Sequence, residues 1–457
     1  MDWKGLKVLV VGLGKSGLAA IELLVEKGAQ PLATDSRPLS QLPGAGLFLE
    51  QKQVPFLEQS VAFQSANWIV LSPGVPVDLP EVNQARERGA QILGEVELAG
   101  PFLRGPRIGI TGSNGKTTTT AWIGHLLRES GVSCQVGGNI GWPLCAMVAS
   151  SREDQWNVLE LSSFQLETIR TFAVDISVTL NITPDHLDRH HSFPAYAAAK
   201  RRIVETQNSA GCWAVLNADD PTVREFASYT KARPCWFSLK QPVPFGLWFD
   251  GEWIHWVGEE GEVKWMRAEE SPLPGLHNLQ NLMAAAAATR LAGVSSEAIR
   301  QAAKTFPGVE HRMEFVREVA GVRYYNDSKA TNVDAAIKAI DSFAGRLWMI
   351  LGGKDKDSDY RPLRQPLQEK ARGVLLIGSA AEKIASQLEG AVPVIRCGTL
   401  EEAVRQASRQ ASSGDIVLLS PACASFDQFQ NFEERGKMFK TFVSQIVSGS
   451  EASSGLE

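Results

Sequence analysis

At 457 residues the chain is too long for one ordinary hydrophobic core, and two to four domains are expected. Hydrophobic residues make up 44% and charged residues 21%, as in a soluble globular protein, and the net charge of −5 excludes a broad basic surface for nucleic acid. The six cysteines (134, 145, 212, 235, 397 and 423) are scattered without a CxxC pair, which fits buried thiols in a reducing cytoplasm better than a disulfide framework or a zinc site. The opening MDWKGLKVLVVGLG runs straight into a strand and lacks a signal-peptide layout. No apolar run is long enough to span a bilayer, so a cytoplasmic protein without a membrane partner is expected.

KVLVVG (7–12) is a continuous apolar strand that ends in glycine. Gly12-Leu-Gly14-Lys-Ser-Gly17 then matches G-x-G-x-x-G and leads into an apolar helix, and a second strand, PLATD, ends at Asp35. This is a dinucleotide-type βαβ unit with an acid near the expected spacing. It predicts a nucleotide diphosphate near a helix N-terminus and does not specify nicotinamide. Asp35 or Arg37 faces a ribose in this reading. WIVLS (68–72) runs into the turn Ser72-Pro73-Gly74, at a strand end where open α/β sheets bind ligands. A Pro/Gly break places the first boundary near 98–106.

RIGITGSNGKTTTT (107–120) reads as a buried strand, a tight loop and the start of a helix. Such loops aim backbone N–H groups and a helix N-terminus at an anion. Lys116 adds a positive charge, and Thr117 or Thr118 a hydroxyl suited to Mg²⁺. The strict P-loop pattern needs a glycine where Ile110 stands, so Gly112, Gly115, Lys116 and Thr117 fit a shorter variant. The alternative is a turn before a helix capped by Ser113 or Asn114.

GVSCQVGGNIG carries Asn139 past a strand. WNVLEL ends in Glu160, Ser162 and Ser163, an acid well placed to reach Mg²⁺ beside the phosphate loop. VDISVTLNITPDHLDRH places Asp185, His186 and Asp188 beyond another strand, open to a metal or phosphate role or to plain surface polarity. Lys200 is, on the residues alone, a surface lysine on an Ala-rich helix. Residues 212–267 read as antiparallel strands and hairpins with few basic residues, and Asp250-Gly251 is a type I′ turn candidate. His277, Asn278 and Asn281 start a helix. The two asparagines lie one turn apart, suited to a base edge, and Asn278 is equally suited to capping.

FPGVEHR (306–312) marks the second boundary, after which strands and helices alternate again. Polar clusters follow three of these strands: Asn326–Asn332, Gly352–Lys356 and Ser420–Ser425. Three such clusters in one sheet favour a site. The tail GSEASSGLE reads as disordered. The expected fold class is α/β in three domains. Residues 1–100 form a Rossmann-like parallel sheet. Residues 101–308 form a central P-loop ATPase-type domain with an added antiparallel β segment. Residues 309–457 form a C-terminal Rossmann-like domain.

Taken together, GLGKSG, SPG, TGSNGKTT, GGNIG, ELSSFQLE, NITPDHLDRH, the AAAK ending at Lys200, HNLQN, HR (311–312), NDSKATN, GGKDK and SPACASFDQF resemble the Mur ligase family of cell-wall synthesis over nearly the whole chain. TGSNGKTT alone also fits folylpolyglutamate synthetase. NDSKATN and SPACASFDQF point to the family's D-glutamate-adding branch. The resemblance implies an ATP-dependent amide ligase that uses UDP-N-acetylmuramoyl-L-alanine, D-glutamate and ATP through an acyl phosphate, and a monomer is expected. By resemblance, Gly14, Lys15, Ser16, Asp35, Ser36, Arg37, Ser72, Pro73 and Gly74 hold the UDP part, and Asn139 and Ser162 approach the muramoyl-alanine. Gly112, Ser113, Asn114, Gly115, Lys116, Thr117 and Thr118 hold the ATP phosphates. Asn278, Asn281, Arg312 and Asp327 contact adenine, ribose or phosphate. Two Mg²⁺ ions are implied, with Thr117, Glu160, His186 and a carbamylated Lys200 as metal residues. Lys116, Glu160, His186 and Lys200 form the implied catalytic set. Lys329, Thr331, Lys356, Ser425 and Phe432 receive D-glutamate.

A nicotinamide oxidoreductase built on GLGKSG leaves the phosphate loop, Glu160 and His186 unexplained. A P-loop switch module that hydrolyses ATP without ligation is the other alternative.

Overall fold

A computed structural model describes residues 2–446. The tail from Gly449 onward, expected to be disordered, lies outside the described residues. The chain divides into two compact units, Met1–Ser271 with Gln280–Phe306, and Pro272–Leu279 with Pro307–Glu457.

The first unit holds two sheets. Strands β1 (Lys7–Val11), β2 (Gln30–Thr34), β3 (Trp68–Leu71) and β4 (Gln91–Gly94) pair in parallel in the order β2-β1-β3-β4. Their apolar residues are buried by layers on both faces, which is why KVLVV is a continuous apolar run without alternation. The chain leaves β1 toward opposite edges, so the loops after β1 and β3 flank a switch point, the usual ligand crevice of an open α/β sheet.

The second sheet contains β5 (Arg107–Thr111), β6 (Cys134–Gly138), β7 (Trp156–Glu160), β8 (Ile176–Thr179), β9 (Trp213–Asn217), β10 (Arg233–Ser238), β11 (Gly246–Phe249), β12 (Trp253–Gly258) and β13 (Gly261–Arg267). Their order is β13-β12-β11-β10-β9-β8-β5-β7-β6. The expected antiparallel character of 212–267 needs correction. β9, β10 and β11 continue the parallel sheet, and only β11-β12-β13 are antiparallel. Alternating aromatics report a half-buried strand and carry no information on pairing direction, which misled the sequence reading. The turn at 250–253 also differs. Gly251 has φ +105° and Glu252 is not left-handed, whereas a type I′ turn needs both central residues positive.

The second unit has one mixed sheet: β14 (Glu314–Val319), β15 (Val322–Asn326), β16 (Leu347–Gly352), β17 (Ala371–Ile377), β18 (Val394–Gly398) and β19 (Ile416–Leu419), in the order β14-β15-β19-β16-β17-β18. Five strands are parallel, and β14 closes one edge as an antiparallel hairpin with β15. The type I′ geometry occurs in this hairpin, at Ala320 (φ +50°) and Gly321 (φ +79°). Of the six cysteines, all free, Cys145, Cys235 and Cys423 are buried and the rest half-buried. Among the described residues no helix is long and apolar enough to cross a membrane.

Candidate active site

The phosphate loop follows β5 and feeds the helix Lys116–Glu129. Gly112 and Gly115 have φ +147° and +88°, and a Cβ on Gly115 would collide with the Asn281 side-chain oxygen. Gly115 occupies the N-cap, so neither Ser113 nor Asn114 caps this helix, and its first turn carries no acid. That leaves the positive end of the helix dipole suited to an anion. Ser113 instead donates from Oγ to the Thr183 carbonyl at 2.9 Å and meets the Tyr196 hydroxyl at 2.8 Å. The Asn181 amide braces the next peptide, accepting from Asn114 N–H at 2.9 Å and donating to Asn114 O at 3.1 Å. Lys116 Nζ donates to the Gly112 and Ser113 carbonyls at 2.8 and 2.9 Å. Thr118 is buried and Thr117 half-buried.

Lys200 is the main correction. Its helix, Phe193–Glu205, packs over the phosphate loop, and Lys200 is 2% exposed, not on the surface. The alanines at 195 and 197–199 fall all round the helix, and nothing local signalled which side faces the loop. Its Nζ donates to the Gly112 carbonyl at 2.8 Å and lies 4.9 Å from the Tyr196 ring centre. Burial, then the Lys116 charge, push its pKa well below the ordinary lysine value, against the opposite pull of Asp185 and Glu160.

Glu160 ends β7 beside β5, in register with Ile110, and is 1% exposed. Asn139 donates from its side chain to Glu160 Oε1 at 2.9 Å and from its backbone to Glu160 O at 2.8 Å. Glu160 Oε2 is buried without a hydrogen-bond partner. Such an orphaned carboxylate oxygen fits a hard cation. Among the described residues no three His, Cys, Asp or Glu side chains cluster as a metal site. The Lys200 ammonium, having no lone pair to offer, cannot itself ligate a cation.

His186 lies past β8, half exposed, with Nε2 3.6 Å from Asp185 and its ring 4.9 Å from Phe164. Asp185 and Asp188 are exposed. Ser162 serves as the N-cap of helix Ser163–Leu166, in a capping box with Gln165. Four residues in this layer received no role from the sequence: Tyr196, and Asn181, Arg189 and His190 inside NITPDHLDRH. His190 is buried, reaches Ser163 Oγ at 3.0 Å and stacks on Phe164.

In the first sheet Gly14 is the N-cap of helix Lys15–Glu26, and a Cβ on Gly17 would collide with the Gly12 carbonyl. Asp35 is buried. Its carboxylate accepts from Leu13 N–H at 2.8 Å and from Arg37 N–H and Nε at 3.0 and 3.1 Å. Burial is the largest single influence and raises its carboxyl, but these bonds and the Arg37 charge together outweigh it and hold the carboxyl below the usual range. Asp35 thus shapes the loop and orients Arg37. Ser72 Oγ donates to Gly12 O at 2.7 Å, joining the two loops at the switch point. Lys15, Ser36, Arg37 and Gly74 are exposed around it, and Ser16 and Pro73 half-buried. Asn281, on the helix Leu276–Leu291, accepts from Thr119 Oγ1 at 3.3 Å beside the phosphate loop.

In the second unit the three polar clusters follow β15, β16 and β19, which are neighbours in the sheet. Ser420 Oγ donates to Asp327 at 2.9 Å, and Gly352 N–H to Pro421 O at 2.9 Å. Burial raises the Asp327 carboxyl to about 6, against the Arg312 charge and its hydrogen bonds. Arg435, unremarked in the sequence, is 1% exposed. It donates to Ser328 Oγ and O at 2.9 and 2.8 Å and to the Cys423 and Ala424 carbonyls at 3.2–3.3 Å, binding two clusters together. Lys329 Nζ lies 5.9 Å from the Phe432 ring centre. Ser425 is buried, Thr331 half-buried and Lys356 exposed. Asn278 sits inside its helix, not at the cap, and donates to the Pro274 carbonyl at 2.7 Å.

Models of three domains match in sequence: "Mur ligase MurD-like, N-terminal domain" over 6–94, "Mur ligase middle domain" over 110–289, and "Mur ligase, glutamate ligase domain" over 311–423. The UDP-N-acetylmuramoylalanine–D-glutamate ligase of Solibacter usitatus is 54% identical over 99% of both chains. That of Acidobacterium capsulatum is 50% identical over 97% of both. The chain belongs to the Mur ligase family. Its fold agrees with distant solved Mur ligases. UDP-N-acetylmuramate-alanine ligase from Thermotoga maritima aligns over 95% of this chain and 98% of its own, at 17% identity and TM-score 0.59. MurF ligase from the same organism, in complex with ADP, aligns over 97% and 96%, at 18% identity and TM-score 0.58.

Proposed function

We propose that this Mur ligase joins D-glutamate to UDP-N-acetylmuramoyl-L-alanine with cleavage of ATP to ADP and phosphate, as a monomer in the cytoplasm. The observation that carries the reading is the convergence of Lys116, Lys200 and the orphaned Glu160 oxygen at the phosphate loop, together with whole-length identity to enzymes of that name.

Amide formation from a carboxylate needs a leaving group, which phosphorylation of the L-alanine carboxylate supplies as an acyl phosphate. The amine of D-glutamate attacks, a tetrahedral intermediate collapses, and phosphate departs. The protein's part is positioning and charge neutralisation. The proposed phosphate contacts are Gly112 to Thr118. Lys116 swings from its loop carbonyls to the phosphates. Asn278, Asn281, Arg312 and Asp327 are the proposed nucleotide contacts.

Glu160, Thr117 and His186 would hold Mg²⁺, which offsets negative charge on the phosphate and carboxylate oxygens. Asn139 keeps Glu160 aimed. Lys200, poised toward the neutral amine, is suited to add CO₂ at Nζ with release of a proton, and the carbamate would supply a further anionic ligand. Arg37, Ser36, Lys15 and the 72–74 turn are proposed for the UDP part. Lys329, Thr331, Lys356, Ser425 and Phe432 are proposed for D-glutamate. His186, half exposed, is available to take the amine proton, as is a substrate phosphate oxygen.

The test is phosphate release with UDP-N-acetylmuramoyl-L-alanine, Mg·ATP and D-glutamate, then with each omitted or exchanged. Turnover only with UDP-N-acetylmuramate and L-alanine would overturn the assignment.

A further inference from the structure

Arg189 stands three residues beyond His186 and reaches out of the central domain. Its Nη2 donates to the Val75 carbonyl at 2.8 Å, immediately after the Ser72–Gly74 turn, and to Glu167 Oε2 at 3.0 Å. The guanidinium carbon lies 5.1 Å from the Phe164 ring centre, within cation–π range, and the same ring neighbours His186 at 4.9 Å and His190 at 5.6 Å. The side chain is only 10% exposed, and its Nε is buried without a hydrogen-bond partner. One cation therefore touches the first-domain turn, an acid of the helix region after β7 and the aromatic behind His186. His191 adds a weaker, exposed link to Asp78 at 2.9 Å. His190 anchors the same segment to the central domain, through Ser163 Oγ at 3.0 Å and the Phe164 and Tyr196 rings, so Arg189 and His191 are its links to the first domain. His186 and His191 are both left-handed, at φ +50° and +63°, which bends the segment sharply.

We infer that Arg189 is a positioning residue that holds the UDP-substrate turn and the His186 segment in one register, so that binding of the UDP substrate sets the place of His186. The inference rests on the proposed function, which assigns the 72–74 turn to the UDP part. A planar, many-donor guanidinium suits this junction, because one rigid group serves a carbonyl, a carboxylate and a ring face at once.

The experiment compares wild type with Arg189→Met, Arg189→Lys and Glu167→Gln. Phosphate release is measured while each substrate is varied. Binding of UDP-N-acetylmuramoyl-L-alanine and of Mg·ATP is followed separately by thermal shift. Arg189→Met is expected to raise KM and Kd for the UDP substrate about tenfold and to lower kcat about tenfold. KM for ATP and D-glutamate stays within about twofold. Arg189→Lys recovers part of the loss, and Glu167→Gln shifts the UDP-substrate KM in the same direction. Arg189→Met with wild-type UDP-substrate KM and Kd overturns the inference. So does a uniform loss for all three substrates with a lowered melting temperature. Wild type that fails to bind the UDP substrate instead overturns the proposed function, and the inference with it.

Discussion

Lys200 Nζ donates a hydrogen bond to the Gly112 carbonyl oxygen across 88 residues of sequence, at 2.8 Å. The bond places a buried amine against the backbone of the phosphate loop. Only the neutral amine adds CO₂, so its depressed pKa favours the adduct at neutral pH. Lys200→Ala is expected to lower kcat about a hundredfold while far-UV circular dichroism stays unchanged, and bicarbonate should not restore it. A ¹³C carbamate resonance from wild type in labelled bicarbonate, absent in the variant, checks the chemistry. Unmodified Lys200 also destabilises the fold at low pH, because the unfolded chain holds its proton more tightly. That cost declines as pH rises through the folded pKa and is gone above the unfolded value.

Glu160 is held by Asn139 through one oxygen and keeps the other unpaired. Glu160→Gln preserves the shape and removes the charge. The Mg²⁺ concentration for half-maximal activity should rise about tenfold or more, with little change in melting temperature in the absence of nucleotide. An unchanged Mg²⁺ requirement would remove Glu160 from the metal set.

Arg435 stays cationic in the interior, although burial lowers its pKa to about 10. Arg435→Met strands the Ser328 and Cys423 carbonyls and should cost about 3 kcal/mol in urea unfolding. It should also raise KM for D-glutamate more than KM for the UDP substrate. Equal rises in both would detach the 420–425 loop from D-glutamate binding.

Glu95 is buried at the start of the helix after β4, where its Oε1 accepts from Cys145 N–H at 2.6 Å. Burial, only partly offset by the Cys145 bonds, raises its carboxyl to about 7. The folded state thus binds the proton more tightly than the unfolded one. Its contribution is fully present below the unfolded pKa and is lost as pH rises through about 7. Glu95→Gln should be about 1–3 kcal/mol more stable than wild type at pH 8, with the difference vanishing near pH 4. Denaturant midpoints at the two pH values measure it.

Several elements were legible in the residues alone. VLVV (8–11) is an apolar run that ends in glycine, as burial on both faces of a parallel sheet requires, and RIGIT and WNVLE are short strands read from Ile108, Ile110, Val158 and Leu159. The glycines at 12, 17, 112 and 115 mark backbone that a side chain would block. The acid at the end of β7 beside the phosphate strand followed from strand alternation. What the sequence could not give was direction and facing. Residues 212–249 look like hairpins because aromatic alternation is the same in parallel and antiparallel strands. Lys200 looks like any lysine among alanines because only its neighbours in space bury it. Arg189, His190, Asn181 and Arg435 gain their meaning from partners 27 to 114 residues away: Val75, Ser163, Asn114 and Ser328. By itself the sequence determined the α/β layers, the phosphate loop and the family. Tertiary structure alone decided which side chains lose water together, and a buried group's charge and reach depend on that shared loss of solvent.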